Sequence, residues 1–230
     1  MYSWNIITTG DGSHSIGVPG LNETYHSIHG AVTESRHVYI KNGLRYLLTW
    51  RNADSIRILE IGLGTGLNVI LSVLENRKFN RAISYTAVEP FPLPESILNQ
   101  LNYPGMLGGE SVATIFNKIH SCPWNEFFKI DQQFSLMKRK SRYEDIHPGS
   151  RCFDLIYYDA FSAGRQPELW ELSLLRKTAE SLDEHGILVT YAAKGQLKRD
   201  LKSLGLEVEP VPGPPGKKEM TRAIKPGPIQ

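Results

Sequence analysis

Ile56-Arg57-Ile58-Leu59-Glu60-Ile61-Gly62-Leu63-Gly64-Thr65-Gly66-Leu67-Asn68 opens as an apolar run and closes on three alternating glycines. The run reads as a buried strand, and Val69-Ile70-Leu71-Ser72-Val73-Leu74-Glu75 after it as a helix. Strand, glycine turn and helix form the opening unit of a doubly wound α/β sheet. Without a Cβ, glycine turns tightly and lets a ligand approach the backbone, and the start of the helix aims free N–H groups at that ligand. Gly62, Gly64 and Gly66 give G-x-G-x-G. A dinucleotide fingerprint needs G-x-G-x-x-G, with a glycine where Leu67 stands. The Glu60 carboxylate, two residues before the first glycine, would crowd a pyrophosphate and suits a cationic or hydroxyl-bearing ligand.

Composition narrows the class. A chain of 230 residues fits one domain with a short appendage and can bury a real core. The formal net charge of +2 does not force a nucleic-acid partner, so any such case rests on local clusters. Cys122 and Cys152 form no metal-ligand spacing and fit a reducing compartment. No apolar run reaches the roughly 18 residues of a membrane span. Met1-Tyr2-Ser3-Trp4-Asn5 lacks the basic and apolar regions of a secretory signal. The expectation is a cytoplasmic protein with no membrane segment and no metal.

Residues 1–50 read as a β-rich N-terminal extension and 51–230 as the main α/β domain. Strands are expected near 5–8, 14–17 and 37–40, joined by Gly/Asp/Ser turns, with a helix near 42–51. The polar run of Glu23, Tyr25, His26, Ser27, His29, Glu34, Arg36 and His37 is dense for a linker, and suits either a cover over the ligand edge or a solvated loop with helix caps. Ser84-Tyr85-Thr86-Ala87-Val88-Glu89 reads as the second strand, and its terminal carboxylate can accept hydrogen bonds from ribose hydroxyls at the end of the sheet where ligands bind. Pro94 starts a helix over 94–101, and a second follows near 109–120. Trp124, Phe127 and Phe128 suggest an apolar face. Phe134-Ser135-Leu136-Met137-Lys138 is the third strand. The basic cluster Lys138, Arg139, Lys140 and Arg142 after it is either a solvated face or a phosphate contact. Phe153-Asp154-Leu155-Ile156-Tyr157-Tyr158-Asp159-Ala160-Phe161 is a fourth strand ending in an aspartate. Beyond it come a helix from Pro167 to about Asp183, a stop at His185-Gly186, a strand over 187–192, a helix over 195–204, and a final antiparallel hairpin. The hairpin's Pro/Gly loop and last strand carry Lys217, Lys218 and Arg222.

The Glu60–Gly66 pattern resembles motif I of the Rossmann-like methyltransferases. Five stretches narrow the likeness: Asp11-Gly12-Ser13 with Asn22-Glu23-Thr24-Tyr25; Glu60 through Asn68; Ala87-Val88-Glu89-Pro90-Phe91-Pro92; Tyr158-Asp159-Ala160-Phe161; and Gly216-Lys217-Lys218-Glu219-Met220. In this order, over nearly the whole chain, they resemble the methyltransferase half of the bacterial tRNA 5-methylaminomethyl-2-thiouridine methyltransferase (MnmC-like) family. The resemblance implies a class I fold with a mostly parallel seven-stranded sheet and an antiparallel last strand. It implies S-adenosyl-L-methionine as cofactor, held by Glu60, Gly62, Gly64, Gly66, Asn68, Glu89, Tyr25 and Asp159. It also implies N-methylation of the aminomethyl group of 5-aminomethyl-2-thiouridine at the tRNA wobble position, with the anticodon stem-loop as partner. Better-known members fuse this half to a flavin-dependent oxidoreductase. The chain ends soon after its last strand, so a stand-alone methyltransferase without flavin is expected. Many members carry a Gly-Asp after the third strand, where this chain has Lys138-Arg139-Lys140-Ser141-Arg142-Tyr143, so the adenine contact stays unassigned.

An amine acceptor is mostly ammonium near neutral pH and must lose a proton before it can attack. Asp159 is the candidate for orienting that amine and taking the proton, with Phe161 as a wall. Lys217, Lys218 and Arg222 are the candidates for tRNA contact. Two rivals remain: a methyltransferase acting on a small amine or a protein, and a non-catalytic tRNA-binding protein. A nicotinamide oxidoreductase is disfavoured by the missing third glycine.

Overall fold

The computed structural model describes residues 4–21, 23–51 and 53–227. Asn22 of the Asn22-Glu23-Thr24-Tyr25 stretch, and Met1-Tyr2-Ser3, lie outside the described residues. Strands β1 (Asn5–Thr8), β2 (His14–Val18) and β3 (Glu23–Thr24) form a small antiparallel sheet. Helical residues 31–50 follow: α1 (Ala31–Ser35), a wider π segment (Arg36–Arg45) and α2 (Tyr46–Trp50). The remaining elements are β4 (Ser55–Ile61), α3 (Leu67–Phe79), β5 (Ala82–Val88), α4 (Glu95–Leu98), α5 (Tyr103–Leu107), α6 (Glu110–Ser121), β6 (Phe127–Asp131), β7 (Phe134–Arg139), β8 (Phe153–Tyr158), α7 (Leu172–Ser181), β9 (Leu182–Thr190), α8 (Gly195–Ser203), β10 (Glu207–Pro212) and β11 (Glu219–Ile224).

The large sheet has the order β10-β11-β9-β8-β4-β5-β7-β6. Its five central strands, β7, β5, β4, β8 and β9, are parallel. The β10–β11 hairpin adds antiparallel to β9 at one edge, and β6 adds antiparallel to β7 at the other. This is the expected class I architecture with eight strands rather than seven. The additional strand is β6, which folds back on β7 through a short turn. Phe127 and Phe128 sit on this edge strand and are exposed, because β6 has only one neighbour to cover it.

Alternation along the strands sorts the core into two layers. Ile56 and Ile58 pack in the cluster that includes Leu67, Val69, Ile70 and Val73 of α3. Leu59 and Ile61 pack in the cluster that includes Leu175 and Ala179 of α7 and Leu197 and Leu201 of α8. Glu60 therefore shares a face with Ile58, and Asp159, two residues past Tyr157, shares the same face at the end of β8.

The strand expected at 37–40 does not form. Residues 31–50 lie as a helix on α3, β8, β9 and β11, with Val38, Tyr39 and Ile40 buried against the sheet. The local β-branched run is overridden by packing. Close approach is possible at Gly43, where a Cβ would lie 3.1 Å from both the Tyr157 ring and the Val189 side chain.

The start of this helix is capped from a distant turn. Thr9 Oγ1 and Ser13 Oγ accept from the Ala31 N–H, and Ser13 Oγ from that of Val32. Asp11 accepts from Thr33 N at 2.8 Å and Thr33 Oγ1 at 2.7 Å, and also from Ser13 Oγ. The Asp11-Gly12-Ser13 motif is thus a capping device. The basic cluster also divides. Lys138 is buried, donating to the His120 carbonyl at 2.9 Å with its ammonium 4.7 Å from the Trp124 ring centre, so it offers nothing to a phosphate. Among the described residues, no helix is long and apolar enough to cross a membrane.

Candidate active site

The strand order reverses at β4: β5 and β7 follow on one side, β8 and β9 on the other. A ligand crevice is expected at the carboxyl ends of such strands. The crevice there has a volume of about 610 Å³. Its floor is the glycine turn. Gly62 has φ +96°, and a Cβ on it would stand 2.5 Å from the Asp159 carbonyl oxygen, so the ends of β4 and β8 can meet only with glycine here. Gly64 donates its N–H to Glu89 Oε2 at 3.0 Å, and Phe91 donates to Oε1 at 2.8 Å. Gly66, at φ +73°, starts α3.

A chain of hydrogen bonds ties three acidic or amide groups together behind this floor. Asn68 Nδ2 donates to Glu60 Oε1 at 2.9 Å and to Asp159 Oδ2 at 2.8 Å. The Tyr39 hydroxyl donates to Asp159 Oδ1 at 2.5 Å. Burial pushes the Asp159 carboxyl up to about 7; the bonds from Tyr39 and Asn68 and the Lys217 charge hold it down, while Glu34 nearby pushes it further up. Burial also raises Glu60 well above the carboxylate range, and the neighbouring Asp159 charge adds to this. Glu89 is raised by burial and partly restored by its two backbone donors.

The roof comes from the small sheet. Tyr25 meets Phe161 edge to face, with ring centres 5.2 Å apart. Ser162 Oγ donates to Glu23 at 2.8 Å, and Arg165 lies 3.6 Å from the same carboxylate. A Cβ on Gly64 would stand 3.0 Å from the Tyr25 ring, so roof and floor are close together.

Gly62, Gly64, Asn68, Glu89, Tyr25, Asp159, Phe161 and Lys217 all line the crevice. Glu60 does not: it is fully buried one side chain behind, where it orients Asn68. Gly66 caps the start of α3 beside Ile119 and His120. Lys217 pairs with Glu34 at 2.8 Å, and its ammonium lies 4.0 Å from the Tyr191 ring centre. Lys218 lines a neighbouring cavity. Arg222 is brought to neither. Its guanidinium pairs with Glu209 at 2.8 Å and covers the Tyr46 ring at 3.5 Å.

Tyr39 and Tyr191 escape a reading of the sequence alone, and Glu34 was read only as part of the polar run at 23–37. Tyr39 and Glu34 lie in the helix at 31–50, whose buried positions include 31/32, 35, 38/39, 42/43 and 47 at helical spacing. That period was the available signal.

The residues fit S-adenosyl-L-methionine. Asn68 lines the crevice and its Oδ1 is buried with no hydrogen-bond partner, free to accept from a donor such as an ammonium group. Glu89 offers a carboxylate with one backbone donor on each oxygen, which leaves lone pairs for ribose hydroxyls. The missing Cβ at Gly62 and Gly64 leaves room along the floor.

Comparison with known proteins agrees with this geometry. Residues 133–226 match a family described as S-adenosyl-L-methionine-dependent methyltransferase. The tRNA 5-methylaminomethyl-2-thiouridine biosynthesis bifunctional protein MnmC of Burkholderia thailandensis is 25% identical over 229 residues, covering 88% of this chain and 32% of that protein. Its counterpart in Hydrogenovibrio crunogenus is 26% identical, covering 89% and 32%. The chain therefore spans about a third of the length of these curated relatives. The crystal structure of MnmC2 from Aquifex aeolicus superposes with a TM-score of 0.80 at 25% identity, over 99% of this chain and 72% of that one. A spermidine synthase from Thermotoga maritima shares the fold alone, with a TM-score of 0.58 at 10% identity over 100% of this chain and 71% of that one. Glycine turn, strand-end acids, sheet order and relatives converge on one likeness: the chain has the class I methyltransferase fold and is similar to S-adenosyl-L-methionine-dependent methyltransferases and to a part of the MnmC proteins.

Proposed function

We propose that the chain methylates the exocyclic amine of 5-aminomethyl-2-thiouridine at the wobble position of tRNA, reading the anticodon stem-loop. The name of the relatives supports the acceptor, and one observation in the crevice carries the chemistry. Asp159 is a half-buried carboxyl, held on both oxygens, whose pKa is raised to about 7 by desolvation. When bound, S-adenosyl-L-methionine supplies a methyl group already activated on a sulfonium. The protein's own work is to orient the acceptor, exclude water and move one proton. An alkylammonium near neutral pH must give up a proton before its nitrogen can attack. A carboxylate with a pKa near the working pH is suited to take it, at Oδ1 or Oδ2 of Asp159.

Tyr39 and Asn68 are positioning residues in this reading: they fix the Asp159 carboxylate from two sides. Glu60 acts through Asn68. Gly62, Gly64 and Gly66 shape the turn, Glu89 takes the ribose, and Tyr25 and Phe161 close the crevice against water. Holding the two reactants in line is worth up to roughly 7–11 kcal/mol in well-oriented cases. Lys218, exposed and in no ion pair among the described residues, is a cation offered to RNA, whereas Lys217 and Arg222 are held in ion pairs with Glu34 and Glu209.

The test uses tRNA bearing 5-aminomethyl-2-thiouridine, the methyl donor, and nucleoside mass spectrometry. Wild type should convert the wobble nucleoside to its methylaminomethyl form. Asp159→Asn should bind S-adenosylhomocysteine in a calorimeter yet convert none. Methylation of free small amines or of protein, with the wobble nucleoside untouched, would replace tRNA by another acceptor. Normal turnover by Asp159→Asn would remove the aspartate from the chemistry.

A further inference from the structure

Beside the crevice lies a second cavity of about 810 Å³, within the size range of small-molecule sites. The two share Ser162, Tyr191 and Lys217 as common wall. That wall is rigid. The Tyr191 hydroxyl donates to the Ala160 carbonyl at 2.8 Å, and its ring is covered by the Lys217 ammonium, which Glu34 holds in turn. Ala160 follows Asp159 in the chain, so the far side of the wall lies one residue from the proposed proton acceptor.

The second cavity has aromatic and small apolar sides, Trp170 and Ala193 among them. Trp170 is locked, donating its indole N–H to the Phe161 carbonyl at 2.8 Å and meeting Tyr158 edge to face at 5.2 Å. At the rim stand Lys194 and Lys218, both exposed. Nearby cations are already used: Lys198 pairs with Glu219, Lys217 with Glu34, and Arg222 with Glu209. Lys194 and Lys218 make no ion pair among the described residues; Lys218 only adds to the field that lowers the Glu219 carboxyl.

We propose that this second cavity seats the acceptor nucleobase, stacked between the Trp170 and Tyr191 side, and that Lys194 and Lys218 meet the flanking RNA phosphates. The proposal rests on the tRNA reading above. A splayed single-stranded base stacks on aromatic side chains, and its phosphates seek unpaired cations. With the crevice over the glycine turn given to the methyl donor, an acceptor entering from the second cavity reaches Asp159 past Tyr191 and Lys217.

Two variants test it on the full chain. Ala193→Trp fills the cavity without touching the crevice. It should raise the KM for tRNA by about tenfold or more, a loss of about 1.4 kcal/mol, while S-adenosylhomocysteine affinity stays unchanged. Lys194→Ala with Lys218→Ala should weaken tRNA binding and reduce the slope of log affinity against log salt by about two. Arg139→Ala with Lys140→Ala serves as the control and should leave that slope alone. An unchanged KM for Ala193→Trp overturns the proposal, as does an unchanged salt slope for the double lysine variant. If Ala193→Trp loses donor affinity, it has disturbed the fold, and the lysine pair decides. If wild type binds the donor product but methylates no tRNA, the tRNA reading itself fails and takes this proposal with it.

Discussion

Asp159 and Tyr39 show how one side chain sets another's chemistry. The carboxyl is raised chiefly by burial and pulled back by the hydrogen bond from Tyr39, which favours the charged form. The charged form is the one able to accept a proton, so kcat/KM should rise with pH through about 7. Tyr39→Phe deletes a bond that lowers the pKa, so the acidic limb should move upward by about one pH unit, the worth of one hydrogen bond to a charged group. The measurement is the pH profile of kcat/KM, beside S-adenosylhomocysteine affinity as a check on the crevice. A limb that stays put would mean that Tyr39 only packs against Tyr157, whose ring centre is 5.1 Å away.

Among the elements, the helix at 31–50 organises the most. Its π segment, of a kind often found at functional sites, carries both Tyr39 and Arg45; Arg45 pairs with Glu75 of α3 at 2.8 Å. The orientation of the helix depends on its first turn, where Asp11, Ser13 and Thr9 satisfy N–H groups that would otherwise lack partners. Asp11→Ala should destabilise the protein by about 1–2 kcal/mol at neutral pH, as loss of a helix cap does. The Asp11 carboxyl is held well below the usual range by its donors from Ser13 and Thr33, against the opposing effect of burial. A depressed carboxyl stabilises the fold above its unfolded pKa, and that contribution fades as pH falls through the folded value. Denaturant melts at neutral and strongly acidic pH should therefore show the variant's deficit shrinking in acid. A deficit independent of pH would assign the effect to packing.

The misreading at 37–40 belongs to this scale too. Val38, Tyr39 and Ile40 look like a strand when taken four at a time. Over 31–47 the buried positions recur every three to four residues. A short window rewards β-branched content, whereas the longer window reports the face that the sheet buries. Strands β4 and β8 were legible because each is a near-continuous apolar run buried on both sides over most of its length, as central parallel strands are, and β7 because its apolar residues alternate. β6 was not: Phe127–Asp131 has one neighbour and little apolar signal beyond two phenylalanines.

For the molecule as a whole, the crevice joins three layers: the small sheet as roof, the glycine turn of the large sheet as floor, and the 31–50 helix behind. A ligand bound there touches only the folded state and should stabilise all of it. S-adenosylhomocysteine at 100 times its Kd contributes about 2.7 kcal/mol, which for a chain of this length raises Tm by roughly 5–10 °C. Differential scanning calorimetry at increasing ligand concentration reads this directly. A transition that splits, with one part insensitive to ligand, would show that the roof melts independently of the sheet.

Local pattern was enough to write down the doubly wound sheet, the G-x-G-x-G turn and the strand-end acids Glu89 and Asp159. Each follows from apolar periodicity or from the spacing of a few neighbours along the chain, and the methyl donor was what the family resemblance of those stretches implied. The folded chain added what spacing does not carry. Tyr39 bonds Asp159 across 120 residues, and Lys217 pairs with Glu34 across 183. Asp11 caps a helix rather than facing a ligand, and Lys138 is buried rather than offered to a phosphate. Those outcomes come from which surfaces bury one another, a property of the whole packing that no short stretch contains.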